Sequence, residues 1–181
     1  MKQTYNLRNK KTIESVLSEQ LNSLKNLPET WFKKNCGYEK AVANKCGWTL
    51  ETDKHKKRYW DCTVNINGQS VKIELKKGKS KTILDLCRYI EMKEKINKNA
   101  SENVYLVQLY YSDNKLEKVC IINKKDLLNK LFGGFTTTKE QDALSGVQIV
   151  RSKFTSGMNC QCFLSKNQIA EISSVTLNIS C

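Results

Sequence analysis

Proline is nearly missing from this chain. Pro28 is the only one in 181 residues, so rigid stops between helices and strands are few. Histidine is as scarce: His55 stands alone, so a centre needing two imidazoles has no residues to draw on. No C-x-x-C occurs among the eight cysteines, and Cys160 and Cys162 are the one close pair. No stretch approaches the roughly 20 apolar residues of a membrane span. MKQTYNLRNKK at the start offers no apolar run that could serve as a signal sequence. The expectation is a cytoplasmic, intracellular protein with no membrane partner, whose cysteines are small buried hydrophobes rather than disulfides or zinc ligands. Acidic residues are also in deficit. Eighteen face 31 lysines and arginines, giving a formal charge of +13. That excess fits a polyanionic partner, nucleic acid before a membrane surface, or else a solvated lysine-rich surface. With 39% hydrophobic residues, the length suits one domain with a real core.

What is present centres on Arg58 to Lys79, RYWDCTVNINGQSVKIELKKGK. Asn67-Gly68 sits between two alternating runs, the strongest local signal for a two-residue hairpin, because both turn residues need positive φ. A turn there sets Val64 opposite Val71, Cys62 opposite Ile73 and Trp60 opposite Leu75 on an apolar face. The other face then sets Thr63 against Lys72 and Asp61 against Glu74, with Lys76 two residues beyond Glu74. Opposed residues have Cβ atoms about 4.5–5.5 Å apart, where like charges destabilise a sheet. Two carboxylates so placed need a divalent cation or a proton between them. Oxygen ligation with open positions suits Mg²⁺, and Lys76 could orient a water or stabilise developing charge. The plainer reading is a polar hairpin face on which Lys72 and Lys76 screen the acids.

Elsewhere the periodicities give further elements. Lys10–Asn26 has helical spacing, ended by Pro28, and Trp31 and Phe32 anchor a short second helix. Tyr38–Cys46 is a compact helix stopped by Gly47. Glu39 at its head either complements the macrodipole or supplies a third acid near Asp61 and Glu74. Trp48–Leu50 begins a strand, and 51–58 is a charged connector in which His55 is a solvated or phosphate-contacting residue. After the hairpin, Lys76, Lys77, Lys79 and Lys81 form a cationic loop around Gly78, able to contact phosphates. Thr82–Asn97 reads as a helix, capped by Thr82 and Asp85, with Ile83, Leu86, Cys87 and Ile90 as its buried stripe. Asn103–Tyr111, NVYLVQLYY, reads as a central strand covered on both faces. A strand at 116–123 and a helix at 124–132 follow. The polar stretch 135–145 is a loop. Strands at 146–154 and 160–165, a short helix near 167–171 and a strand at 174–179 complete the chain.

The order of helical acid, strand Asp, hairpin, Glu-x-Lys, basic loop, helix and strand resembles the PD-(D/E)XK nuclease superfamily. The matching residues are Glu39 in YEKAVANKCGW, Asp61 in YWDCTV and Glu74-Leu75-Lys76 in KIELKK, within roughly Tyr38 to Asn123. Trp60 stands where many members have the proline before the Asp. The resemblance implies an α/β fold, a mixed central β-sheet flanked by helices with a restriction-endonuclease-like core. It implies one domain: a helical region at 1–37, a catalytic core at 38–132 and a C-terminal part at 133–181 able to read DNA. It further implies that Asp61, Glu74 and the Leu75 carbonyl bind Mg²⁺, with Mn²⁺ as a substitute. Lys76 would assist the attacking water, and Glu39 would help through a second metal or water. The substrate would be double-stranded DNA. Within the superfamily, the small size and irregular C-terminal part look like a type II restriction endonuclease, typically a homodimer. Arg58, Lys77, Lys79, Lys81, Gln148, Arg151 and Lys153 are the candidate DNA contacts. A repair or junction nuclease, a nonenzymatic nucleic-acid-binding protein and a basic interaction protein are the competing classes.

Overall fold

A computed structural model describes residues 11–26, 37–85, 88, 103–113, 115–133, 148–151 and 160–179. The expected helix around Trp31 and Phe32, the 135–145 loop and Lys153 lie outside the described residues.

The Asn67-Gly68 turn forms as the sequence predicts. Asn67 takes φ 55° and Gly68 φ 80°, and the Asn65 side chain accepts the Gly68 amide at 3.0 Å. It joins β2 (Cys62–Ile66) to β3 (Gln69–Gly78), with Val64 opposite Val71 and Cys62 opposite Ile73. Ahead of them lie α1 (Ile13–Asn22), α2 (Tyr38–Cys46) and the short β1 (Thr49–Leu50). Thr12 caps α1 by accepting from the Ser15 amide, and Gly47 ends α2 at φ 71°.

Next comes β4 (Lys81–Asp85), which overturns the expected helix start at Thr82. Thr82 and Leu84 are buried while Lys81 and Ile83 face outward, Ile83 by 47%, which is the two-residue period of a strand. The Thr82 hydroxyl therefore caps nothing. It shares a hydrogen bond with the Tyr110 hydroxyl at 3.1 Å. Of the expected helix beyond Asp85, only Arg88 is described, in helical conformation.

Then follow β5 (Asn103–Ser112), β6 (Lys115–Asn123), α3 (Lys124–Gly133), β7 (Gln148–Arg151), β8 (Cys160–Ser165), α4 (Lys166–Ile172) and β9 (Val175–Asn178). The main sheet is mixed and runs β1-β2-β3-β5-β6-β9. A second sheet runs β4-β8-β7. The first three strands are antiparallel neighbours, and β5 lies parallel to β3. β9 pairs with β6, so the end of the chain closes the main sheet.

Strand alternation divides the interior into two cores. Val71, Ile73, Leu75, Tyr105, Val107, Leu109, Val119 and Ile121 pack under α1 and α2 with Leu17, Leu21, Val42 and Ala43. On the opposite face Val104, Leu106, Tyr110, Cys120 and Ile122 meet α3, α4 and the second sheet through Leu127, Leu131, Ile169, Leu84 and Leu164. Each fully buried side chain of this size contributes roughly 1.5–3 kcal/mol. Cys46, Cys62, Cys120 and Cys162 are free and buried, as the sequence implies.

Candidate functional site

Glu74 and Lys76 are even-numbered residues of β3, and so project on the face that α3 covers. Their register partners on β5 are Leu106 and Gln108. Glu74 is only 8% exposed. A carboxylate buried that far requires charge partners, and two lie among the described residues. Lys76 reaches one oxygen at 3.0 Å, and Lys124, the first residue of α3, contacts the other. Lys124 has no exposed surface and donates a further hydrogen bond to the Tyr59 carbonyl at 2.8 Å.

The expected direct opposition of Asp61 and Glu74 is not the observed geometry. The regular ladder ends at Cys62 and Ile73, so Trp60 is not paired with Leu75. The Asp61 amide instead donates to the Ile73 carbonyl at 2.8 Å, one residue out of step, as at a β-bulge. The slip turns the Asp61 carboxylate across β3, where it accepts the Leu75 amide at 2.8 Å. The two acids still feel one another. Burial first, then the charge of Glu74 and Glu39, raises Asp61 above the ordinary carboxylate value, against the Leu75 amide and Lys76, which lower it.

Tyr38 and Glu39 at the head of α2 complete the group. The Tyr38 hydroxyl donates to the Leu75 carbonyl at 2.9 Å. Burial, then the charges of Glu39, Asp61 and Glu74, keeps that phenol protonated far above its usual range. For Lys76 burial works downward, but Glu74 and then Asp61 outweigh it, so its ammonium is held above the ordinary lysine value. Lys76 is therefore a fixed cation rather than a proton acceptor. In fully covered Lys124 burial wins over Glu74 and the shift is downward.

The structure thus gathers Glu39, Asp61, Glu74 and Lys76 into one cluster. The other expected residues are dispersed. Lys77 is still within β3 and on the opposite face from Lys76, its ammonium 5.0 Å from the Tyr38 ring centre and 6.0 Å from that of Tyr111. The cationic loop is consequently a tight turn at Lys79-Ser80, with Lys79 exposed. Lys81 already belongs to β4, over the Phe163 ring at 5.8 Å. A side chain at Gly78 would place its Cβ 2.4 Å from the Lys81 carbonyl oxygen, so only glycine makes this turn. Arg58 lies in a short 3-10 turn, and Gln148 and Arg151 lie on β7 at the far side of the second sheet.

Among the described residues no group of three or more His, Cys, Asp or Glu side chains is arranged to hold a metal. Around Leu75 the cluster offers the Asp61 and Glu74 carboxylates and one peptide carbonyl, with Glu39 as a third acid acting on Asp61. Each of those around Leu75 has an oxygen that already accepts from a protein donor. That donor set is too sparse for a cage of protein ligands. It suits a hard cation that retains several waters, as Mg²⁺ does.

Three residues of this site were not anticipated. Lys124 and Tyr38 carry no motif of their own. Gln108 does leave a trace, as the one amide in the apolar and aromatic run NVYLVQLYY. Comparison with family models, curated proteins and solved structures finds nothing that matches this chain.

Proposed function

We propose that this protein is a divalent-metal-dependent endonuclease that hydrolyses phosphodiester bonds of double-stranded DNA. The observation that carries the reading is the meeting of Asp61, Glu74 and Lys76 around the two peptide groups of Leu75. Supporting it is the order of strands around them: an antiparallel β1-β2-β3 set, then β5 parallel to β3, preceded by a helix bearing Glu39. That arrangement is compatible with the PD-(D/E)XK core expected from the motif. A basic chain of +13 suits the polyanionic substrate.

Asp61, Glu74 and the Leu75 carbonyl would hold the cation, which when bound polarises the phosphoryl oxygen and acidifies a water. Lys76, a permanent cation here, stabilises negative charge as it builds on the phosphate. Tyr38 and the Leu75 amide fix the carbonyl and Asp61 in place. Glu39 adds a third acid close to Asp61. A type II restriction activity in a homodimer is the finer form of this proposal, with Arg151 and Gln148 on β7 as groove-reading candidates.

One observation favours a second reading. Lys76 and Lys124 already neutralise Glu74, as they would in a nonenzymatic nucleic-acid-binding protein. Incubation of sequenced plasmid with and without Mg²⁺ or Mn²⁺ separates the two. Discrete, metal-dependent fragments that disappear in Lys76→Ala, with DNA still bound, support the restriction-type nuclease. Nicking or a preference for branched DNA supports a repair or junction nuclease. Metal-independent binding without cleavage leaves only the second reading.

A further inference from the structure

The segment 51–61 between β1 and β2 closes on itself at Asp61. The Glu51 amide donates to the Asp61 carbonyl at 2.8 Å, so the two ends of this loop meet at a residue of the candidate site. The two acids ahead of Asp61 serve the loop's own frame. The Glu51 carboxylate accepts the Thr52 and Asp53 amides and the Trp60 indole N–H, each at 3.0 Å. The Asp53 carboxylate accepts the His55 amide at 2.8 Å, and the Asp53 carbonyl accepts the Lys57 amide at 2.9 Å. Near the neck, Lys72 lies over the Trp60 ring at 4.2 Å, and the Tyr59 carbonyl accepts from Lys124, which also contacts Glu74. The loop is thereby tied at several points to the same charge cluster.

What this frame presents to solvent is positive. Residues 52–57 are all exposed, and Lys54, His55, Lys56 and Lys57 are among them. By contrast Lys77 and Lys81, the lysines expected on phosphates, lie over the rings of Tyr38 and Phe163. Lys54 follows Glu51 by three residues and Lys57 precedes Asp61 by four, so their Cα atoms stay within roughly 15 Å of the neck. A duplex carries one charge per about 1.7 Å of its axis, so that reach takes in several phosphates around one held at Asp61. A loop already pinned presents its cations without the ordering cost that a slack one meets on binding. We propose that the loop 51–61 grips the backbone of duplex DNA, with Lys54, Lys56 and Lys57 on phosphates flanking the one at Asp61. Phosphate contacts set register and orientation and carry no sequence information, so this surface positions the duplex and reads no bases. The inference rests on the nuclease reading above, which supplies the phosphate at Asp61.

The test pairs two double variants that each remove two positive charges. Lys54→Gln with Lys57→Gln alters the loop at side chains outside its internal bonds. Lys25→Gln with Lys45→Gln alters exposed lysines at the opposite end of α2 from Glu39. Binding to labelled duplexes of several sequences is followed by fluorescence anisotropy in EDTA, so that nothing is cut, across a series of salt concentrations. The loop variant should bind about ten- to sixtyfold more weakly near 0.1 M salt, alike for every sequence, and its salt slope should be shallower by about 1.8. The control variant should keep the parent slope. In cleavage assays the loop variant should raise KM and leave kcat at saturating DNA unchanged. A slope for the loop variant within about 0.5 of the parent overturns the proposal, since two phosphate contacts are worth more. Equal losses in the two double variants overturn it in favour of diffuse surface charge. So does a loss confined to phosphatidylserine vesicles with duplex binding kept. Failure of the parent to cut with either metal sinks the nuclease reading instead, and the EDTA titration still reports on the loop.

Discussion

The two faces of the main sheet are built from alternate residues of the same strands, yet they follow different rules. Toward α1 and α2, the covered centre of β3 and β5 presents Val71, Ile73, Leu75, Tyr105, Val107 and Leu109, an apolar surface in which the single phenol bonds to Glu14 at 2.7 Å. Toward α3, the interleaved positions are Glu74, Lys76 and Gln108, set among Leu106 and Tyr110. Both faces carry packed cores, but the second also accepts buried charge and, among the described residues, an unmet acceptor, neither of which an optimally packed core would keep. The contrast sets the proposed site on one side of a strand whose other side is ordinary core.

The sharpest way to break that contrast is Glu74→Ala. It removes the carboxylate that the buried Lys124 ammonium contacts, so chemical denaturation should show a loss of about 3–5 kcal/mol. Adding Lys124→Met should return most of that stability, because a pair replaced by apolar groups leaves no stranded charge. Cleavage should stay absent in both. A single and a double variant of equal stability would mean the pair is not coupled.

Asp61→Asn acts in the opposite sense. The folded protein holds this carboxyl above its usual pKa, so the protonated form is favoured by folding, and the stability it gives is lost as pH rises through the folded value. Near neutral pH the ionised group opposes folding. Asparagine can still accept the Leu75 amide without the charge. The variant should melt about 2–4 °C higher at pH 7 in metal-free buffer, with the gain disappearing below pH 3.8, the ordinary value for the group. Its cleavage should be lost. A melting temperature that falls at neutral pH would contradict the cost of burying this charge.

The smallest effect belongs to the plain face. Ile73→Val should cost about 0.5–1.5 kcal/mol with kcat per folded molecule unaltered. A selective loss of activity from this change would erase the division of labour between the faces.

How much of this was legible beforehand follows from where the signals are local. The hairpin could be read because Asn67 and Gly68 need only their own backbone to turn. Asp61, Glu74 and Lys76 could be nominated because a two-residue period carries from the turn outward. The bulge at Asp61 could not, since it depends on a bond to Ile73 across the strands. Residues 81–85 misled for a related reason. Ile83, Leu86, Cys87 and Ile90 also match a helical stripe, and it is pairing with β8 that selects the strand. Lys124 and Lys125 make the limit plain. They are identical and adjacent, yet one is sealed against Glu74 and the other is exposed. Nothing short of the packed fold tells them apart.

The thiol of Cys62 follows Asp61 directly and is fully covered, and burial pushes it up to about 12, with Cys46 and Cys162 held similarly. At neutral pH these sulfurs are shielded from alkylating reagents twice over, by lack of access and by lack of thiolate. Modification at Cys62 then acts as a clock for the opening of β2. Its rate measures how often the strand leading from Asp61 comes away from its neighbours.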